Sequence, residues 1–322
     1  MRRFRLHFAA LPVLCALSVN AQPQPTIRAN VPLVLVPVTV TDQKGVLIDG
    51  LHVEDFVLAD DGARQSIFMD TSDAVLAPVS VVVAVQSSDI SSAALAKINK
   101  VGGMIQPLIA GERGSAAVIA FDDDIRVIQD FTSDAAEISA AFRKIHGRTA
   151  GDGRMIDAIV QATQMLDARP QNRRRIVIVL GESRDRGSQT KLEQAIAITS
   201  HAGVIVYPAT YSAYLTPWTA KPEDAPPGGG GLFTGLKDLF KHGKASPADV
   251  LARASGGEHF SFNTLRALER TLTRAGQEIH GQYLLSFAPA ESDDHGFHRL
   301  EVSVPSRPDA VVRARAGYWA ER

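Results

Sequence analysis

Three nearly unbroken apolar runs constrain this chain more than anything else in it. Val79 to Val85, Arg175 to Leu180 and Gly203 to Tyr207 are dominated by β-branched and aliphatic residues with no polar alternation. A strand with one wet face alternates; a continuous run is buried on both faces. Helix-length segments separate the runs: about Ser91 to Ile109, Asp134 to Ile145, about Gly153 to Leu166, and Gln189 to His201. Strands alternating with helices predict an α/β fold, a Rossmann-like, mainly parallel sheet with helices on both faces. Ser115 to Phe121 and Ile125 to Phe131, joined by Asp122-Asp123-Asp124, have hairpin spacing. The pattern resumes with a helix from Pro247, a strand at Glu258 to Phe262 and a helix from Thr264 to Ile279.

The two ends of the chain have a different texture. Leu33 to Thr41 is β-branched, and Pro37 within it predicts an edge or a bulge. Asp42-Gln43-Lys44-Gly45 reads as a turn, and short strands at Phe56 to Leu58 and Arg64 to Phe68 surround Asp60-Asp61-Gly62. Gln282 to Phe287, Arg299 to Val304 and Val311 to Ala316 are closing strands. Both ends are predicted to share one small β-sandwich, which brings the ends of the middle domain together. The expected organisation is a signal peptide at 1–21, N-terminal strands at 22–76, an α/β domain at 77–281 and C-terminal strands at 282–322. Pro222, Pro226-Pro227 and a four-glycine run mark a mobile insertion at about 215–246.

The N-terminus has a basic start (Arg2, Arg3, Arg5), an apolar core from Phe8 to Val19 and a small residue, Ala21, ahead of Gln22. That layout predicts export to the periplasm or the exterior. Cleavage would remove Cys15, the only cysteine, and with it any disulfide or thiolate chemistry. No later apolar run approaches membrane length, so no span is expected in the mature chain. Lys and Arg number 34 against 35 Asp and Glu. That balance argues against a sequence-independent nucleic-acid binder, which needs a basic excess.

In an open parallel sheet, ligands bind beyond the carboxyl ends of the strands. Gln86-Ser87-Ser88-Asp89-Ile90-Ser91-Ser92 follow the first buried run, and Gly181-Glu182-Ser183-Arg184-Asp185 the second. Thr149-Ala150-Gly151-Asp152-Gly153 enters a helix between them. The first loop has no G-x-G-x-x-G and the chain has no Gly-Lys-Ser/Thr loop, so neither a dinucleotide cofactor nor P-loop chemistry is expected.

These blocks resemble von Willebrand factor type A domains, and more narrowly the related proteins typical of acidobacteria. The resemblance is carried by Val34-Leu35-Val36-Pro37-Val38-Thr39-Val40-Thr41-Asp42 through Glu54-Asp55-Phe56. It continues in Arg173-Arg174-Arg175-Ile176-Val177-Ile178-Val179-Leu180 with Glu182 to Ser188, and closes on Tyr283-Leu284-Leu285-Ser286-Phe287 and Arg313 to Tyr318. It implies a protein partner met through the loops at the sheet's carboxyl edge. Many members hold a divalent cation there with Asp-x-Ser-x-Ser, a Thr and an Asp. Carried onto this chain, Gln86 stands for the first Asp, Ser88 for the first Ser, Ile90 for the second Ser, Gly153 for the Thr and Glu182 for the last Asp. One hydroxyl and one carboxylate survive, so the resemblance implies a degenerate site and no resident cofactor. The alternative is a rearranged, weak Mg²⁺ site drawing on Asp89, Asp152, Glu182 and Asp185 with hydroxyls of Ser87, Ser88 and Ser91. The expected ligand-facing residues are therefore Gln86, Ser88, Asp89, Asp152, Gly153, Glu182 and Asp185.

An enzyme reading competes. Gly181-Glu182-Ser183-Arg184-Asp185 sits where a G-x-S-x-G nucleophile elbow would, with His259, His280, His295 and His298 downstream and Asp249 as a third member. Asp185 replaces the closing glycine, and a carboxylate there disfavours an oxyanion, so a non-catalytic module is expected. Asp122 to Asp124 reads as a turn rather than a Ca²⁺ loop. His295 and His298 flank a turn at Gly296, and Arg173 to Arg175 read as an opposite rim, solvated or facing acidic loops. Trp218, beside Pro217 and near Tyr211 and Tyr214, is a candidate anchor for a partner. The sequence leaves partner identity and oligomeric state open.

Overall fold

The computed structural model describes residues 33–69, 78–88, 92–148, 153–170, 173–211, 246–289 and 296–319. The expected signal peptide, the insertion up to residue 245, and Asp89, Asp152, Trp218 and His295 lie outside the described residues. β1 (Val34–Thr41), β2 (Val57–Asp60), β3 (Ala63–Arg64) and β4 (Ile67–Met69) open the chain. The middle runs β5 (Val79–Gln86), α1 (Ser92–Ile98), α2 (Gly102–Ile105), β6 (Ser115–Phe121), β7 (Ile125–Thr132), α3 (Ala135–Lys144), α4 (Met155–Asp167), β8 (Arg174–Glu182), α5 (Leu192–His201) and β9 (Val204–Tyr211). It ends with α6 (Pro247–Ser255), β10 (Phe260–Phe262) and α7 (Leu265–Gly281), and β11 (Tyr283–Phe287), β12 (Phe297–Ser303), β13 (Val311–Ala314) and β14 (Gly317–Trp319) close the chain.

The central sheet has the order β10-β9-β8-β5-β6-β7. Its pairings are parallel except β6 with β7, the hairpin whose Asp122 to Asp124 loop the sequence predicts. Every residue of β5 is buried. Val81, Val83 and Val85 pack with Leu95, Ile105, Phe142 and Leu272 of α1, α2, α3 and α7. Val82 and Ala84 pack with Ile159, Ile196 and Leu251 of α4, α5 and α6 on the other face. Each such aliphatic side chain removed from water contributes roughly 1.5–3 kcal/mol, and Ser80, the one polar residue within the Val79 to Val85 run, accepts from Arg173 Nε at 2.6 Å.

One expected helix is broken in two. Between α1 and the end of the segment, α2 is a single turn that continues into a π-type turn at Gln106–Ala110. Gly102 and Gly103 weaken the helix, and Pro107 offers no N–H for the ordinary bond. The wider turn closes instead through Gly111 N–H donating to Gln106 O at 2.8 Å. Gly102 also admits the Phe142 ring, to which a Cβ would stand 2.7 Å away.

The ends of the chain form a β-sandwich of two antiparallel sheets, β13-β1-β11-β4 and β14-β12-β2-β3. Val36, Val38, Leu285 and Phe287 from one sheet and Leu58, Leu300 and Tyr318 from the other share its core. β13 pairs only with Val38 to Thr41 of β1, so Pro37 lies just past that ladder. The expected strand at Val311 to Ala316 ends at Ala314 as β13, and a further strand that the sequence does not predict, β14, joins the other sheet. Arg315 sits at the crossing and donates to Gly317 O and to Ser200 O and Oγ on α5. Gln282 donates to both Thr39 Oγ1 (3.1 Å) and Tyr207 Oη (3.0 Å), tying β1 to β9. Among the described residues, no helix is long and apolar enough to cross a membrane.

Candidate functional site

From β5 the chain leaves to β6 on one side and returns in β8 on the other. The crevice between β5 and β8 at their carboxyl ends is the sheet's topological switch point, where ligands of open α/β sheets bind. Gln86 ends β5, Glu182 ends β8, and Gly153 leads into α4 beside them.

Gln86 is 1% exposed and fills this crevice. Its Oε1 accepts from the Glu182 backbone N–H at 2.7 Å, and its Nε2 donates to Ser88 Oγ at 2.8 Å. Two glycines make room for it. A Cβ on Gly153 would stand 2.4 Å from Gln86 Nε2, and one on Gly181 2.7 Å from Gln86 Oε1. Among the expected ligand-facing residues, Gln86, Ser88, Gly153 and Glu182 therefore meet in one place.

Glu182 is 2% exposed, and neither carboxylate oxygen accepts a hydrogen bond from a described residue. The nearest described cation is Arg186, whose Nε stands 4.0 Å from Oε2. A buried carboxylate without donors costs several kcal/mol. The loop crown at the switch point therefore holds a buried carboxylate that no described residue hydrogen-bonds, with Arg186 at the edge of ion-pair distance.

Asp185 has a different job. Its Oδ1 accepts the Ile156 backbone N–H at 2.9 Å, and Ser188 Oγ, which donates to the same carboxylate at 2.6 Å, accepts from Asp157 N–H at 3.1 Å. Arg154, the N-cap residue of α4, makes no side-chain cap, so the loop after β8 supplies it from outside. Asp157 returns the contact by accepting from the Gln189 and Thr190 backbone N–H groups, each at 2.9 Å. Burial pushes the Asp185 carboxyl above its ordinary range. Burial also works to raise Asp157, but its bonds from Thr190 and Gln189 outweigh it.

Beside the crevice lies a network that the sequence reads only as a turn. Asp122 is 1% exposed and pairs with Arg126 through two hydrogen bonds of 3.1 and 2.8 Å. Ser87 Oγ donates to Asp122 Oδ2 and accepts from Arg126, each at 2.9 Å. Burial raises this carboxyl, but Arg126, the Asp124 N–H and Ser87 together hold it below the usual range. This cluster fixes the loop after β5 from behind, and no local sequence signal announces it.

Ser183 follows Glu182, but no described histidine bonds to it. His259 lies between Asp249 (Nδ1 to Oδ1, 2.5 Å) and Thr210 (Nε2 to Oγ1, 2.7 Å). Thr210 is 2% exposed, so that hydroxyl is closed to solvent. His259 and Asp249 line a cavity of about 710 Å³ with Lys44, Arg274 and Arg313, and no crown residue lines it.

A mainly parallel six-stranded sheet, helices on both faces and a loop crown at the switch point define an open α/β domain. Residues 68–184 match the von Willebrand factor type A domain family, a stretch that holds β5 to β8 and Gln86, Gly153 and Glu182. The α/β part has a von Willebrand factor type A-like fold. Among solved structures, a von Willebrand factor type A protein from Catenulispora acidiphila is 14% identical, with a TM-score of 0.50, and covers 91% of this chain and 64% of that one. The BatB protein of Bacteroides thetaiotaomicron is 13% identical (TM-score 0.44; 62% of this chain, 99% of that). An aerotolerance-related membrane protein of Bacteroides fragilis is 17% identical (TM-score 0.42; 62% and 98%). No curated protein matches the chain.

Proposed function

We propose that this chain is an exported, non-catalytic protein-interaction module of the acidobacterial type. It grips a protein partner through the crown, without a resident metal ion, and Glu182 is its recognising charge. The observation that carries this reading is the buried carboxylate of Glu182 at the switch point, which accepts no hydrogen bond from a described residue. A basic side chain of a partner, inserted between the loops after β5 and β8, satisfies it. A hard cation such as Mg²⁺ wants octahedral oxygen ligands. Gln86 and Ser88 are bonded to each other, Gln86 also holds the Glu182 backbone, and Asp185 caps α4. Glu182 is then the single described carboxylate left to offer, too little charge to offset dehydration of the ion.

The same carboxylate favours a second reading, metal-dependent adhesion through a rearranged site completed by Asp89 or Asp152. One experiment separates the two. Capture of a partner from the exported fraction is compared for the wild type and Glu182→Gln, with and without chelator. The metal-free reading expects capture that survives chelation and is lost in Glu182→Gln; capture abolished by chelation overturns it. Sub-millimolar Mg²⁺, Mn²⁺ or Ca²⁺ binding lost in Glu182→Ala also overturns it. Labelling of Ser183 by a fluorophosphonate would rule for a hydrolase.

A further inference from the structure

The sandwich carries a cluster of chemistry that the crown does not use. Asp60 ends β2, and Asp61-Gly62 makes the two-residue reversal into β3, with positive φ at both positions (47° and 83°). Asp-Gly suits that tight hairpin turn, which requires left-handed backbone twice. His298 lies on the neighbouring strand β12, and Arg299 O accepts the Asp61 N–H at 2.9 Å, so the imidazole reaches over the end of the hairpin.

Each carboxylate is anchored by one oxygen and turns the other towards the ring. Asp60 Oδ2 accepts from Tyr318 Oη at 2.8 Å, and Asp61 Oδ1 accepts from Arg299 N–H at 2.9 Å. Asp60 Oδ1 and Asp61 Oδ2 lie 3.5 and 3.0 Å from His298 Nδ1. One ligand atom from each residue falls within 4.8 Å of the others. Asp60 is 8% exposed, and its Oδ1 accepts no hydrogen bond from any described residue. The Tyr318 ring stacks on the imidazole with centroids 5.0 Å apart at 20°, which fixes the plane of the ring.

Ligand atoms bound to one ion at about 2.1 Å stand about 3.0 Å apart at right angles and about 3.4 Å apart in a tetrahedron. The two nitrogen–oxygen separations here, 3.0 and 3.5 Å, lie at the first value and just above the second. Two carboxylates and an imidazole form a mixed set that suits Zn²⁺ and its neighbours better than Mg²⁺ or Ca²⁺, which take oxygen alone. Asp61 is exposed, which leaves an open coordination position for water. We infer that Asp60, Asp61 and His298 bind a divalent transition cation of the Zn²⁺ class, with Tyr318 as a positioning residue for Asp60. This site is independent of the crown.

The test is calorimetric titration of the chelator-stripped full chain with Zn²⁺, and with Mg²⁺ and Ca²⁺ in parallel. One Zn²⁺ per chain is expected, bound at least tenfold more weakly by Asp61→Asn and by His298→Gln and unchanged in Glu182→Gln. Asp61→Asn keeps an Asn-Gly hairpin, so its fold is preserved where that of an Asp60 variant is less secure. Tyr318→Phe removes no ligand and is expected to weaken Zn²⁺ about tenfold, as lost outer-shell bonds do. Absence of Zn²⁺ binding, Zn²⁺ binding indifferent to Asp61→Asn and His298→Gln, or equal affinity for Mg²⁺ overturns the inference.

Discussion

The two ends of the central sheet use charge in opposite ways. At the amino end, Arg173, Arg174 and Arg175 are knitted into the fold. Arg173 bonds Ser80 Oγ, and Arg174 bonds Ile279 O and Gln282 Oε1. Arg175 bonds Asp167 Oδ1 and the carbonyls of Ala202 and Arg169. These guanidiniums close helix ends and strand starts, so the expected rim is in fact a staple. At the carboxyl end, Gln86 is equally well bonded, but Glu182 beside it accepts nothing from the described fold. Hydrogen-bonded charge holds structure together; a buried carboxylate without a hydrogen-bond donor costs stability, and recognition is the use proposed for it.

The contrast can be broken at the amino end first. A Cβ on Gly114 would meet Ala110 O at 1.9 Å and Val79 O at 2.7 Å, and backbone cannot step aside. Gly114→Ala is expected to cost about 3 kcal/mol or more, read as a lower denaturant midpoint at unchanged slope. Arg174→Ala strands the Ile279 carbonyl and Gln282 and is expected to cost about 2 kcal/mol by the same measurement. A loss near zero would mean that this end is as free as the notion of a solvated rim supposes.

A second buried carboxylate sharpens the comparison. Glu278 on α7 is 2% exposed like Glu182, but it has partners: Arg313 at 2.7 Å and Arg274 at 3.3 Å, both also bonded to Glu258. Burial still pushes its carboxyl from the ordinary 4.5 up to about 7, with Arg313 opposing and the adjacent Glu258 adding to the rise. Between those values the folded state holds more protons than the unfolded one. The contribution is thus fully present below about 4.5 and is lost as pH rises through about 7. Thermal melts from pH 5 to pH 8 should show a downward slope that Glu278→Gln flattens, a difference on the order of 1 kcal/mol. The smallest expected effect is at the crown. Glu182→Gln removes a buried carboxylate that lacks hydrogen-bond donors and is expected to leave stability unchanged or raise it by about 1 kcal/mol while abolishing partner capture. Clear destabilisation would show that a group of the fold itself, and not a partner, answers that carboxylate.

Much of this architecture is legible in the residues. The continuous run at β5, the Asp122 to Asp124 hairpin, the Ser246-Pro247-x-Asp249 start of α6 with Gly256 after its end, and the β-rich termini all follow local rules. The split of the first helix is also local in cause, since Gly102, Gly103 and Pro107 are all visible, although hydrophobic spacing alone joins the two halves. The crossing from β13 to β14 is not local, because Arg315 between them bonds Ser200 on α5, 115 positions away. At the crown, residue identity points to Gln86, Ser88 and Glu182 but not to their bonding. Asp185 has the credentials of a ligand until α4 claims its carboxylate.

The sequence by itself determined the layer order, because burial on two faces, on one face or on none leaves periodicities that neighbouring residues display. It also pointed to Gln86 and Glu182, since these follow the ends of the apolar runs. Only the tertiary structure decided which of them are spent. Hydrogen bonds between Gln86 and Glu182, 96 positions apart, and between Tyr318 and Asp60, 258 apart, depend on how packed layers bring distant segments within 3 Å. Satisfaction of a buried polar atom is a property of that packing, and no stretch of neighbouring residues encodes it.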